Sequence, residues 1–233
     1  MEQIRENILR IREEMALAAE KAGRDPKEIL LCAATKMNDS ARVRAAVEAG
    51  VDVCGENRVQ ELVQKSLENA YAPAPVHFIG HLQTNKVNKV VGKVDLIQSV
   101  DRLELLEALQ KTAQKLEITQ DILLEVNIGG EESKSGFAPN SVMDMVARME
   151  AYPALRLRGL MTIPPVATFS GENRRFFAEM HRLSVDIGAK KYDNVSMDYL
   201  SMGMSDDFAD AIMEGSTMIR VGTRIFGART YTK

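Results

Sequence analysis

The sequence is poor in cysteine, with only Cys32 and Cys54 and no Cys-x-x-Cys pair. That gives no metal site and suits a reducing compartment. Long apolar runs are also missing, so no segment is expected to span a bilayer. The N-terminal stretch MEQIRENILRIREEM is amphipathic and rich in both charges, without the uninterrupted apolar core of a signal peptide. A cytoplasmic location is the resulting expectation. Neither sign of charge dominates: 30 Lys and Arg against 33 Asp and Glu leave a net charge of -3, which argues against nucleic acid as a main partner. There is no linker, low-complexity tract or short repeat. With 233 residues, 45% hydrophobic and 27% charged, the chain reads as one soluble globular domain, 1–233, able to bury a sizeable core.

What is present is an alternation. Ile4, Ile8, Ile11, Met15 and Ala18 fall on one face of a leading helix. Short apolar runs follow at 29–35, 51–54, 76–80, 95–99, 121–127, 155–162, 199–202 and 218–222. Helix-like stretches separate them at 40–49, 57–70, 84–92, 102–116, 140–150, 172–188 and 206–214. In the stretch after Asp101, Asp101 and Glu104 have capping-box spacing, and Leu103, Leu106, Leu109, Ala113 and Leu116 form the apolar stripe. Runs such as VHFIG and DILLEV are continuous rather than alternating, as strands buried on both faces of a parallel sheet are. The fold class expected is α/β, a single (β/α)8 barrel of the TIM type with an extra N-terminal helix. An open doubly wound sheet competes, but it would need fewer strands and usually a glycine-rich first turn; ATKMND follows the first strand here.

Barrels place their chemistry at the C-terminal ends of the strands, and these ends are polar. Strand one ends at Lys36. By the period of two, Cys32, Ala34 and Lys36 share a face, so small residues leave room for a flat ring below the amine. Lys36 is either a solvated lysine at a strand end or an amine able to attack an aldehyde. Ser201-Met202-Gly203-Met204-Ser205 and Gly222-Thr223 fall in the loops after strands seven and eight, where barrels often bind phosphate. Ser201, Ser205 and Thr223 offer hydroxyls, and Gly203 and Gly222 let backbone N–H groups approach; the alternative of equal weight is that the glycines only make turns. Arg220 shares a strand face with Met218 and Gly222, and Ile219 and Val221 take the other. If the apolar pair packs outward, Arg220 points into the barrel, where it needs a ring nitrogen, a phosphate or a carboxylate such as Glu125. Asn57 suits a ring hydroxyl or the cap of the helix after it. His81 is an acid–base candidate or a loop histidine bonded only to backbone. Lys86, Lys89 and Lys93 read as a solvated helix face.

These stretches together carry a resemblance. ATK at Lys36, GENRVQE at 55–61, HFIGHLQTNK at 77–86, SVD at 99–101, VN at 126–127 with ESKSG at 132–136, GLMTI at 159–163, LSMGMSDDF at 200–208 and GSTMIRVGTRIFGAR at 215–229 span nearly the whole chain. In this order they resemble the pyridoxal phosphate homeostasis proteins. The resemblance implies a barrel like the N-terminal domain of alanine racemase, with pyridoxal 5′-phosphate joined to Lys36 as a Schiff base. It implies that Ser201, Gly222 and Thr223 hold the phosphate, that Arg220 lies near the ring nitrogen or phosphate, and that Asn57 lies near the ring hydroxyl. Family members usually continue Lys-Thr-x-Pro after this lysine; here the residues are Lys36-Met37-Asn38-Asp39, which leaves the loop and access to the site open.

Two functions share that cofactor. One is a carrier that stores pyridoxal phosphate or delivers it to pyridoxal-phosphate-dependent apo-enzymes, expected to act as a monomer and without robust catalysis. The alternative is an amino-acid racemase. Racemisation needs acid–base groups on both faces of the substrate carbon, and alanine racemases supply one from a tyrosine in the partner subunit's additional C-terminal domain. The last predicted strand ends at 222 and the sequence at Lys233, so no such domain is expected, and Tyr71, Tyr152, Tyr192, Tyr199 and Tyr231 offer no obvious substitute. An arginine beside the ring nitrogen also disfavours its protonation and weakens the ring as an electron sink, although racemases use an arginine there too. A third class is a phosphate-binding barrel with no Schiff base. If Lys36 is not the anchor, Lys134 is the next candidate.

Overall fold

The computed structural model describes residues 1–227. Tyr231, the last residues of the 215–229 motif and the end of the expected 1–233 domain lie outside the described residues. Eight parallel strands close into a barrel in chain order, β8 pairing with β1. They are β1 Leu30–Ala34, β2 Val53–Glu56, β3 Val76–Phe78, β4 Leu96–Val100, β5 Gln120–Val126, β6 Leu155–Thr162, β7 Val195–Ser201 and β8 Met218–Val221. The helices are α1 Glu2–Lys21, α2 Ser40–Glu48, α3 Val59–Leu67, α4 Leu103–Lys115, α5 Pro139–Ala147, α6 Arg174–Gly188, α7 Phe208–Met213 and α8 Thr223–Phe226. The extra helix α1 buries the expected stripe, Ile4 to Ala18, against α2, α7 and α8.

Two cores result from strand alternation. Ile219, Val221, Leu31, Ala33, Ile122 and Leu124 face outward into the main core beneath the helices. Cys32, Val53, Ile79 and Met218 form a smaller inner cluster, and Leu96, Leu123 and Met161 another. Each fully buried Leu or Ile contributes roughly 1.5–3 kcal/mol of transfer free energy, so the helical shell carries most of the apolar stabilisation.

Several boundaries differ from expectation, each for a physical reason. The stretch 84–92 is a 3₁₀ segment, Thr84–Lys89, followed by turns rather than an α-helix, although Val87, Val90 and Val91 are all buried. Lys89 and Lys93 are exposed and Lys86 half-buried. Strand β7 begins at Val195; its polar start is stabilised across the sheet, where Arg158 Nε donates to Asp198 Oδ2 at 2.6 Å. Strand β2 runs on to Glu56, whose charge concealed it. Asp101 does not cap α4: the cap position is Arg102, without a side-chain bond, and the Asp101 carboxylate turns to His81 and Arg102. Gly159 has φ +146°, and a Cβ there would meet Tyr199 O at 1.8 Å, which fixes glycine at the β6–β7 irregularity.

Candidate functional site

A cavity of about 470 Å³ opens over the C-terminal ends of β1 and β8, lined by Ala34, Lys36, Asn38, Arg42, Gly222 and Thr223 among others. It therefore unites Lys36 with the two residues of the eighth-strand loop. Lys36 sits on a turn after β1. Met37 adopts φ +59°, Asn38 Nδ2 donates to Lys36 O at 3.0 Å, and Asp39 caps α2 by accepting the Arg42 N–H at 2.8 Å. This is how the Met37-Asn38-Asp39 sequence closes the loop in this chain. Thr223 Oγ1 lies 3.2 Å from Ser205 Oγ, joining the seventh- and eighth-strand loops. Gly203, at φ +91°, would carry a Cβ 2.6 Å from Ala211 Cβ, and its carbonyl accepts the Arg220 N–H.

Arg220 does point inward. It is 5% exposed, and its guanidinium donates to Ser201 Oγ at 2.7 Å and Thr162 O at 2.8 Å. Neither partner is a carboxylate, and among the described residues Glu125 forms no ion pair with it. Burial lowers the Arg220 pKa from its ordinary value. Ser201 is fully buried and committed on both sides, since its hydroxyl also donates to Gln98 Oε1 at 2.7 Å. Gln98 Nε2 then donates to His77 Nδ1 at 2.8 Å. Because an amide N–H is the donor, His77 Nδ1 is the acceptor and the ring is neutral; burial pushes its pKa down to about 4. A hydrogen-bonded chain thus runs through the barrel from Arg220 to its lower end. Sequence reasoning missed Gln98 and His77; their place on inner-facing positions of β4 and β3 was the available signal.

Asn57 stands at the end of β2 and does not line the cavity under Lys36. It is not the cap of α3, whose cap position is Arg58. Its Oδ1 is buried with no hydrogen-bond partner, a state that ordinarily costs about 1–3 kcal/mol. Gly80 packs on it so closely that a Cβ would lie 2.3 Å from Asn57 O. Glu125 is buried at the end of β5 on the face of Leu123, its carboxyl pushed up to about 7 by burial and by Asp101, against the pull of Arg220. His81 Nδ1 lies 3.0 Å from Asp101 Oδ2, a side-chain partner rather than backbone. Lys134 is tied to Pro164 O at 2.9 Å and to Glu131, away from the cavity. Arg42, which sequence reasoning also missed, lines the cavity and donates to Asn38 Oδ1 and Phe226 O. Cys32 and Cys54 are buried, their thiols pushed up to about 12 by desolvation, so both are neutral and unreactive at pH 7.

The closed parallel barrel, with a lysine after the first strand and hydroxyls and glycines after the last two, is that of a (β/α)8 protein. The chain belongs to the family of the alanine racemase N-terminal domain, which it matches over residues 1–230. It is 41% identical over 226 residues to the pyridoxal phosphate homeostasis protein of Aquifex aeolicus, covering 97% of this chain and 98% of that one. It is 37% identical to the protein of the same name in Escherichia coli K12, over the whole of both chains. Among solved structures, PipY of Synechococcus elongatus with pyridoxal phosphate bound superposes with a TM-score of 0.82 at 31% identity, covering 96% of this chain and 100% of that one.

Proposed function

We propose that this protein binds pyridoxal 5′-phosphate through Lys36 and holds it for storage or delivery rather than for turnover. The observation that carries the reading is the cavity shared by Lys36, Gly222 and Thr223; the buried Arg220 stands two residues before Gly222, on β8, and among the described residues no carboxylate is hydrogen-bonded to it. The donor set fits the group. A primary amine suits an aldehyde, and a buried cation and rim hydroxyls suit a phosphate; Asn57, outside the cavity, is not part of this set. When bound, the cofactor supplies an aldehyde that condenses with a primary amine. Lys36 is the amine, Gly222 and Thr223 hold the phosphate, and Ser201 contributes through the guanidinium it fixes. Arg220 stays cationic and disfavours a proton on a neighbouring ring nitrogen, which keeps the ring a poor electron sink. Among the described residues no tyrosine lines the cavity. Relatives named for pyridoxal phosphate homeostasis support the carrier reading. In that reading the protein is a cytoplasmic single-domain monomer whose recipients are pyridoxal-phosphate-dependent apo-enzymes.

One observation favours the racemase reading: His81 is oriented by the buried Asp101 at a strand end, as an acid–base histidine is. Borohydride reduction of the protein supplied with pyridoxal phosphate, followed by peptide mapping, tests the anchor. An adduct on Lys36 is expected, and its absence sinks the reading. Lys36→Ala should abolish the adduct and leave residual phosphate-anchored binding; Thr223→Val should weaken binding while the adduct still forms. Turnover of amino acids by the loaded protein, lost in His81→Gln, would replace the carrier with an enzyme.

A further inference from the structure

The turn that carries Lys36 is gripped from outside the barrel wall by a buried ionic cluster. Lys65, on α3, is 4% exposed. An ammonium has three N–H donors, and Lys65 Nζ meets three acceptors: Glu56 Oε2 at 2.7 Å, Glu61 Oε2 at 2.8 Å and Thr35 O at 2.9 Å. Glu56 is fully buried. Its Oε2 also accepts from Thr35 Oγ1 at 2.9 Å and Tyr71 OH at 3.3 Å, and its Oε1 accepts the Asn57 N–H at 2.8 Å. Glu61 Oε2 accepts the Met37 N–H at 2.7 Å. The residues on both sides of Lys36 are therefore bonded to one cluster. Met37 is a non-glycine residue at φ +59°, a conformation that persists only where surrounding contacts impose it. The contacts that impose it are these.

Resting on the reading of Lys36 as the cofactor-binding amine, we propose that Lys65 is a positioning residue: its ammonium, clamped by Glu56 and Glu61, fixes the Thr35–Met37 turn and so aims the Lys36 side chain into the cavity. The chemistry selects lysine over arginine. A compact ammonium can point three donors at two carboxylates and one carbonyl, whereas a planar fork directs its donors in one plane.

The test uses wild type, Lys65→Met, Lys65→Arg and Glu61→Ala. The rate of borohydride-trapped adduct at Lys36 is measured with pyridoxal phosphate. Affinity for pyridoxine 5′-phosphate, which has no aldehyde, is measured by calorimetry. Hydrogen exchange of the Met37 amide is read without any ligand. In Lys65→Met and Glu61→Ala the adduct rate should fall roughly tenfold or more, as misplacement of a reacting group does, and Met37 should exchange faster. Glu61→Ala should bind pyridoxine phosphate within about twofold of wild type, since it does not touch the phosphate loops. Lys65→Arg should keep the fold without restoring the adduct rate. Folded variants with wild-type adduct rate and wild-type Met37 exchange would overturn the proposal. If Lys65→Met does not fold, Glu61→Ala, with a partly exposed side chain, decides alone. A wild type that forms no adduct would defeat the cofactor reading, and Met37 exchange would still decide the positioning role.

Discussion

Two buried cations flank the mouth of this barrel, and they are treated in opposite ways. Lys65 lies outside the wall, beneath α3, and is fully matched by Glu56, Glu61 and a carbonyl. Arg220 lies inside the wall and is held by a hydroxyl and a carbonyl, with the neutral chain Ser201–Gln98–His77 behind it. The matched cation has no field left to attract a ligand, and what it holds is backbone. The cation without a bonded carboxylate keeps its charge in a low-dielectric interior, where the proposed phosphate would feel it. The lesson is that burial alone does not mark a functional cation; the identity of its acceptors does.

The largest effect should come from breaking the matched pair. Glu56→Gln is expected to cost about 3–5 kcal/mol in urea unfolding, because it strips a counter-charge from a buried ammonium. Next is a pH effect that sets the upper barrel against the lower. Glu125 has its pKa raised from 4.5 to about 7, so its contribution is complete below pH 4.5 and is lost as pH rises through 7. His77 is lowered from 6.5 to about 4, so its contribution is complete above pH 6.5 and is lost as pH falls through 4. Between pH 6.5 and 4.5 the two oppose one another. Glu125→Gln should expose the histidine alone, as a fall of about 3 kcal/mol from pH 6.5 to 4; an unfolding profile parallel to wild type would show that Glu125 does not titrate in this window.

A smaller effect sharpens the contrast between the cations. Arg220→Met should cost about 1–3 kcal/mol in the cofactor-free protein, because it removes the donor to Thr162 O and to Ser201 Oγ, which keeps its bond to Gln98, and strands no carboxylate. Should Arg220→Met destabilise more than Glu56→Gln, the distinction between matched and unmatched cations collapses. Least of all, Ser205→Ala on the half-buried rim should stay within about 0.5 kcal/mol, measured the same way.

Much of this was legible along the chain. The inward face of Arg220 followed from Ile219 and Val221 on the other side of a strand, because period two is a local property. The strands with continuous apolar runs declared themselves as parallel and doubly buried. The start of β7 did not, since Ser196 and Asp198 gain their place only from Arg158 on the neighbouring strand. The role of Asp101 was misread for the same reason: capping spacing is local, and its actual partner His81 is twenty residues away in the chain.

The sequence by itself determined the barrel, the leading helix and the family, because hydrophobic period and motif order are written residue by residue. It also determined that Lys36, Gly222 and Thr223 would stand at strand ends. Only the tertiary structure decided that those three share a cavity, that Ser201 is spent on Arg220 and Gln98, and that Lys65 grips the turn of Lys36. Hydrogen bonds such as Ser201 to Gln98, 103 residues apart, and Lys65 to Thr35, 30 residues apart, obey no sequence period. They exist because the closed barrel turns β4 and β7 side chains into one interior and packs α3 over the end of β1, and desolvation there obliges each buried polar group to find a partner.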